Sequence, residues 1–295
     1  MPNLKNCLRF LTPCQRRPEY PLFVFLPGMD GTGRLLHRQT PSLQKTFDIR
    51  CLAIPPDDLT DWDAMAKQVI ALIEAELKPR CAAEGARSVR SAARRLPDPP
   101  AAHQGRAVYL CGESFGGCLA QKVIMHAKGL IERLILINPA SSFKLYPWMS
   151  LGEPISRALP SALYRVSKLG ILPFLADWGR VADWEVRALW SAIHSVPQTT
   201  FIWRLSLLGE FHISETQLSC ITQPTLLLAS GADRLLPSVT EAQRLNICLP
   251  KAQMVVLSDS CHACLLERSV DLYQILQTHN FLSSGNAVSL IRGAS

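Results

Sequence analysis

The sequence predicts a doubly wound α/β domain with a mostly parallel sheet and an inserted helical segment. Three observations predict it. Short aliphatic and β-branched runs bounded by turn residues recur along the chain, each apolar on both faces, as strands of a covered parallel sheet must be. Helical patterns separate these runs, and strand alternating with helix implies right-handed crossovers. The alternation stops between Ser142 and Phe211, where the chain keeps helical spacing, contains several prolines and offers no strand.

The predicted strands are Leu22–Leu26, Ile49–Ile54, Val108–Cys111, Leu134–Ile137, Thr225–Ala229 and Met254–Leu257. The clearest helix is Asp61–Leu77, where Met65, Val69, Leu72, Ile73 and Leu77 form one stripe and Thr60 is placed to cap the start. A second helical pattern covers Cys118–Ala127 and closes at Gly129. Ser238 followed three residues later by Glu241 reads as a capping box opening another helix, and Leu265–Leu276 supplies the last. The core is therefore expected over 21–141 and 212–280, preceded by an N-terminal extension over 1–20 and followed by a tail over 281–295. A helical cap is expected over 142–211. That segment holds five of the six tryptophans, Trp148, Trp178, Trp184, Trp190 and Trp203. They either pack the segment onto the sheet or line an apolar tunnel, where burial of a ligand contributes about 25 cal/mol per Å².

With 295 residues and 48% hydrophobic composition the chain can fill a core, which excludes a disordered or fibrous protein. No run approaches the roughly 18 apolar residues of a spanning helix. The first residues interrupt their leucines with Asn6, Arg9, Pro13, Arg16 and Arg17, so neither a membrane anchor nor a secretory signal is read, and a cytoplasmic location is expected. The net charge of +7 is concentrated in 78–106, which carries seven basic residues against Glu84 and Asp98. This Ala/Arg/Pro-rich stretch lacks any apolar stripe and reads as a mobile basic excursion. The nearly balanced remainder argues against nucleic acid, while attraction of the basic stretch to anionic headgroups leaves peripheral association with an internal membrane open. Ten irregularly spaced cysteines are not a disulfide scaffold, and Cys51, Cys111 and Cys118 sit in apolar runs as small buried hydrophobes. Cys261-His262-Ala263-Cys264 has metal-ligating residue types but no second pair, so no metal is expected.

The chemistry is concentrated after the third strand. Val108–Cys111 runs directly into Gly112-Glu113-Ser114-Phe115-Gly116-Gly117 and then into a helix, the strand, turn and helix that a G-x-S-x-G nucleophile elbow requires. The turn holds Ser114 exposed at a helix N-terminus, and Gly112 and Gly116 let neighbouring backbone pass without a clashing Cβ. Without chemistry, the same run would be a glycine-lined packing turn.

A serine hydroxyl needs a base to become nucleophilic. Of seven histidines, His262 follows the last strand through a short loop and precedes the terminal helix. The other six lie on helical or cap segments or, for His103, in the basic excursion. The base in turn needs a carboxylate to set its tautomer and stabilise the imidazolium. Asp233 directly ends the strand Thr225–Ala229, where a carboxylate can meet the histidine loop; Asp259, three residues before His262, is the competitor. The oxyanion formed by attack needs N–H donors. Phe115 supplies one, and the loop Pro27–Gly33 should supply the second from Met29. Asp30 beside it would oppose the developing charge unless its side chain turns away to cap the following loop.

Four segments carry a resemblance to a family. FLPGMDGTG (Phe25–Gly33), IRCLAIP (Ile49–Pro55), YLCGESFGG (Tyr109–Gly117) and LILINPASSF (Leu134–Phe143) resemble the hydrolase part of the phytyl ester synthase and esterase/lipase/thioesterase proteins of plants and cyanobacteria. The resemblance runs from about Leu22 to Leu276 and implies an α/β-hydrolase fold, action on long-chain acyl or prenyl esters, no cofactor, and Ser114, Asp233 and His262 on the triad positions. Two features depart from the family. Its plant synthases carry an acyltransferase-like module with an H-x-x-x-x-D motif, whereas His262 is followed at that distance by Glu267, and the 78–106 excursion falls where a short connection is expected. The expected activity is therefore hydrolysis of a lipid-like acyl ester or thioester by a serine esterase. Acyl transfer to phytol or a diacylglycerol is the first alternative, and a catalytically silent lipid-binding protein the second.

Overall fold

The computed structural model describes residues 7–78, 105–146 and 149–283. The first half runs β1 (Arg9–Leu11), β2 (Leu22–Leu26), α1 (Thr40–Leu43), β3 (Asp48–Ala53), α2 (Trp62–Leu77), β4 (Val108–Glu113), α3 (Phe115–His126) and β5 (Arg133–Ile137). Four helices then follow without a strand: α4 (Gly152–Ala158), α5 (Ser161–Leu175), α6 (Asp183–His194) and α7 (Gln198–Glu210). The chain continues through α8 (Glu215–Ser219), β6 (Thr225–Ser230), α9 (Ser238–Cys248), β7 (Ala252–Leu257) and α10 (Leu272–Thr278). Most of the basic excursion (79–104, with His103), Trp148 and the end of the tail (284–295) lie outside the described residues.

The strands form one sheet in the order β1-β3-β2-β4-β5-β6-β7, parallel throughout except for β1, which pairs antiparallel with β3. All six predicted strands are in it. The seventh, β1, lies in the stretch read as an extension, and three residues are too few to show a period. Alternate residues of the central strands go to opposite faces. Val24, Leu110, Leu136 and Leu227 pack toward α2, α3 and α9, whereas Phe25, Cys111, Ile135 and Leu228 pack toward α1 and α10. Both faces are covered, which explains the unbroken apolar runs. The edge strand β7 departs from this pattern and is partly exposed.

Several helix starts differ from the sequence reading, α3 beginning at Phe115 rather than Cys118. Asp61, not Thr60, caps α2: its carboxylate accepts the Ala64 N–H at 2.7 Å, while the Thr60 hydroxyl bonds to Asp58. Ser238 and Glu241 do not form a capping box, because the Ser238 hydroxyl is drawn to Asp233 and Glu241 pairs with Arg244. The last helix begins at Leu272, capped by Asp271, because Cys264–Leu266 forms a separate 3₁₀ turn.

A buried ionic cluster joins the ends of β3 and α2 to the approach to β4. Arg50, 1% exposed, pairs with Asp48 at 2.7 Å and Glu76 at 2.8 Å, and Arg106 reaches Asp48 at 2.5 Å. Removing one member of such a cluster strands its partners and costs about 3–5 kcal/mol.

The topology decides where chemistry can occur. The chain leaves β2 for β3 on one side and returns to β4 on the other, so the crossover direction reverses between β2 and β4. Leu26 pairs with Gly112 in that register, placing the loop after β2 beside the turn after β4. Ligands of open α/β sheets bind in the crevice at such a reversal. No helix among the described residues is long and apolar enough to cross a membrane.

Candidate active site

Ser114 stands between β4 and α3 with φ 53° and ψ −113°, a left-handed conformation that costs a non-glycine residue about 1–3 kcal/mol. Its surroundings hold it there. The Ser114 N–H donates to the Ile137 carbonyl at 2.9 Å, and its own carbonyl accepts from Gly117 and Ala140. The flanking glycines are required by contact: a Cβ on Gly116 would lie 2.1 Å from the Leu26 carbonyl oxygen, and one on Gly112 would lie 2.3 Å from that of Gly116. Phe115 opens α3, so its N–H belongs to the first turn, where donors have no intrahelical partner.

The loop after β2 lies against this turn. A Cβ placed on Gly28 would meet that of Ser114 at 3.7 Å, and Gly28, Met29 and Asp30 all border the same cavity as Ser114. Asp30 turns its carboxylate onto the loop and accepts from the Thr32 N–H at 2.8 Å and the Thr32 hydroxyl at 2.5 Å. Burial raises its pKa, opposed by those two bonds and by the charge of Arg204. Arg204, from α7 and only 2% exposed, clamps the loop by donating to the Met29 carbonyl at 2.5 Å and the Pro55 carbonyl at 3.3 Å. The guanidinium lies where a side chain on Gly31 (φ 68°) would be, its Nη1 2.9 Å from that Cβ position.

The structure brings His262 and Asp233 together, with Nδ1 and Oδ2 2.7 Å apart. Asp259, the competitor, is exposed. Asp233 also accepts from the Leu235 and Leu236 N–H groups at 2.8 and 3.0 Å and from the Ser238 hydroxyl at 2.5 Å. Burial alone would raise the Asp233 pKa, but the charge and hydrogen bond of His262, with the Ser238 and Leu236 donors, outweigh it and hold the carboxylate below its ordinary range. For His262 burial disfavours the imidazolium, and the charge of Asp233, its hydrogen bond and the charge of Glu113 together raise the pKa.

Several residues that build the site were not singled out in the sequence. Glu267 accepts from the Cys261 N–H at 2.7 Å and the Ser260 hydroxyl at 3.0 Å, pinning the loop before His262. Asn138 (φ 43°) donates to the His262 carbonyl and the Ser230 hydroxyl, both at 2.8 Å, and accepts from the Ser230 N–H. It thereby ties the ends of β5 and β6 to the histidine loop. The available signal was its place directly after the strand in the LILINPASSF segment. Glu113, the residue before Ser114, borders the cavity with its carboxyl pushed up to about 7 by burial, opposed by the charge of His262 and reinforced by that of Asp30.

The cavity above Ser114 has a volume of about 330 Å³ and is walled mainly by aliphatic side chains, among them Ile155, Leu159, Ile171, Leu175, Leu189 and Ile193. None of the described tryptophans lines it. Trp178 and Trp184 are exposed, and Trp203 packs over the domain below with its indole N–H on the Thr60 carbonyl. Lys168 is the cationic member of the wall, capping the end of α6 through the Ile193 and Val196 carbonyls at 3.1 and 2.8 Å. Burial lowers its pKa. Among the described residues no group of three or more His, Cys, Asp or Glu side chains is placed to hold a metal ion.

A mostly parallel seven-stranded sheet with an elbow at its topological reversal defines the class as the α/β hydrolases. The family model of serine aminopeptidase, S33, matches residues 93–269, and the chain belongs to that family of α/β-hydrolase enzymes. It is 30% identical to phytyl ester synthase 1, chloroplastic, of Arabidopsis thaliana over 309 aligned residues, covering 91% of this chain and 38% of that protein. It is 29% identical to a putative carbamate hydrolase RutD of Pseudomonas savastanoi over 268 residues, covering 85% of this chain and 89% of that one. Thus the chain spans well under half the length of the plant synthases it matches. Among solved structures, an esterase from Exiguobacterium antarcticum superposes with a TM-score of 0.70 at 14% identity, covering 93% of this chain and 95% of that one. At that identity the likeness concerns the fold.

Proposed function

We propose that the chain is a serine-dependent carboxylic ester hydrolase acting on long-chain acyl or prenyl esters, or the corresponding thioesters, through an acyl-enzyme. One observation carries the reading: a single apolar cavity is bordered both by Ser114 at the elbow and by a His262 already paired with Asp233. The helices of 142–211 act as the cap that shelters the acyl chain.

In this mechanism the neutral imidazole of His262 takes the Ser114 hydroxyl proton as Oγ attacks the carbonyl carbon, and Asp233 stabilises the imidazolium. The Phe115 and Met29 N–H groups hold the oxyanion. Collapse breaks the bond to the leaving alkoxide or thiolate, which leaves with the proton from His262. Water then repeats the sequence on the acyl-enzyme and releases the acid. Ionised Asp233 and basic His262 are the states this sequence requires, and the directions of their pKa shifts support them.

A fluorophosphonate probe tests the nucleophile. The wild-type protein should be labelled and the Ser114→Ala variant should not; labelling that survives the substitution refutes the assignment, and an unlabelled wild type favours a silent binding protein. Turnover of p-nitrophenyl esters from acetate to palmitate tests the substrate class, and a preference for acetate contradicts the lipid reading. Acyl transfer is the second reading, favoured by the likeness to proteins named as phytyl ester synthases. Product that forms only when phytol is supplied would select it.

A further inference from the structure

The helix α5 has two unlike faces. Tyr164, Lys168, Ile171 and Leu175 border the cavity, whereas Leu163, Val166, Leu169 and Phe174 are between 49% and 61% exposed. A surface helix ordinarily turns polar residues outward along that arc. Leu145, Leu151 and Ile155, on the approach and on α4, are also more than half exposed. Ile155 is 57% exposed and also borders the cavity, so the cavity opens among these side chains. Exposed apolar surface concentrated at a cavity mouth marks an interaction site.

The charge around this face indicates its partner. From residue 144 to 176 the exposed basic residues are Lys144, Arg157 and Arg165, Lys168 being buried in the cavity wall, and the acidic residues reduce to Glu153, which Arg157 holds at 2.5 Å. The helix α5 has no carboxylate. An apolar face with a basic margin is the pattern of helices that lie in the headgroup region of anionic membranes. A second copy seated on the same face about a two-fold axis would bring these cations toward one another.

We propose that the outer face of α4 and α5 docks on an anionic lipid surface, turning the mouth of the cavity toward the lipid. This rests on the surface itself and stands apart from the esterase reading. The side chains of Leu163, Val166 and Leu169 do not border the cavity, so replacing all three with glutamine should leave turnover of a soluble short-chain ester within about twofold. Flotation of the full chain with vesicles of phosphatidylcholine, with or without phosphatidylglycerol, measures docking. The wild type should float with the phosphatidylglycerol vesicles, and the triple variant should bind them at least about tenfold more weakly. Arg165→Glu should weaken binding to those vesicles by about fivefold or more and leave binding to phosphatidylcholine unchanged. A wild type that fails to float, or a triple variant that floats as well as it does, overturns the proposal. So does a wild-type dimer that the triple variant dissolves without any change in vesicle binding, which would make the face an interface between copies. Vesicle binding without ester turnover would leave the docking proposal intact and remove only the esterase reading.

Discussion

Glutamine at position 113 should stabilise the protein at pH 8 and leave its stability nearly unchanged near pH 4. Glu113 is 8% exposed, and burial, assisted by the charge of Asp30 and opposed by that of His262, moves its pKa from 4.5 to about 7. In the unfolded chain this carboxyl loses its proton near 4.5, but in the folded chain it keeps it until about 7. Between those values the native state binds more protons than the unfolded state, so stability falls as pH rises through the window, and the full cost is present above it. At 1.36 kcal/mol per pH unit the cost is roughly 3 kcal/mol, an upper figure because the cavity admits water. Urea denaturation of wild type and Glu113→Gln near pH 4, 6 and 8 measures it. The advantage of the variant should grow with pH and level off above about 7. A difference independent of pH, or a variant less stable at pH 8, would refute the reasoning. The same charge supports the basicity of His262, so the acid limb of the pH dependence of kcat/KM should move to lower pH in the variant.

Asp233→Asn keeps the shape of the site and removes the charge that sets the tautomer of His262, and kcat for ester hydrolysis should fall by about 10⁴. A loss under about tenfold would take Asp233 out of that role. Arg204→Met should lower kcat by up to the roughly 10²–10³ of one oxyanion donor with little change in KM, and Arg204→Lys should restore part of it. A change confined to KM would contradict a positioning role for the clamp. Ile171→Trp narrows the cavity, so hydrolysis of the palmitate ester should drop at least about tenfold while the acetate ester is unaffected. Equal losses would place the acyl chain elsewhere.

The strands and the elbow were legible because each depends on local order in the chain. A strand covered on both faces must be apolar throughout, and an elbow needs small residues at Gly112 and Gly116, so both leave a mark within a few residues. Caps were less legible. Thr60 and Asp61 are adjacent, and both can accept from a helix N–H; the Asp58 carboxylate two residues upstream took the Thr60 hydroxyl and left the cap to Asp61. Ser238 matched a capping box, but Asp233 captured its hydroxyl. The tryptophans of the helical segment were open to packing onto the sheet or to lining an apolar tunnel; the cavity wall is aliphatic, and two of those rings face outward.

The order of elements and the candidate reacting groups came from the amino-acid pattern, because hydrophobic period and turn chemistry act over short distances. The clamp of Arg204 on the Met29 carbonyl, separated by 175 residues, could emerge only when α7 folded back over the sheet. The pinning of the histidine loop by Glu267, the raised pKa of Glu113 and the apolar outer face of α5 likewise exist only in the assembled molecule. Burial, proximity and exposure are properties of packing, and packing joins residues that the chain keeps far apart.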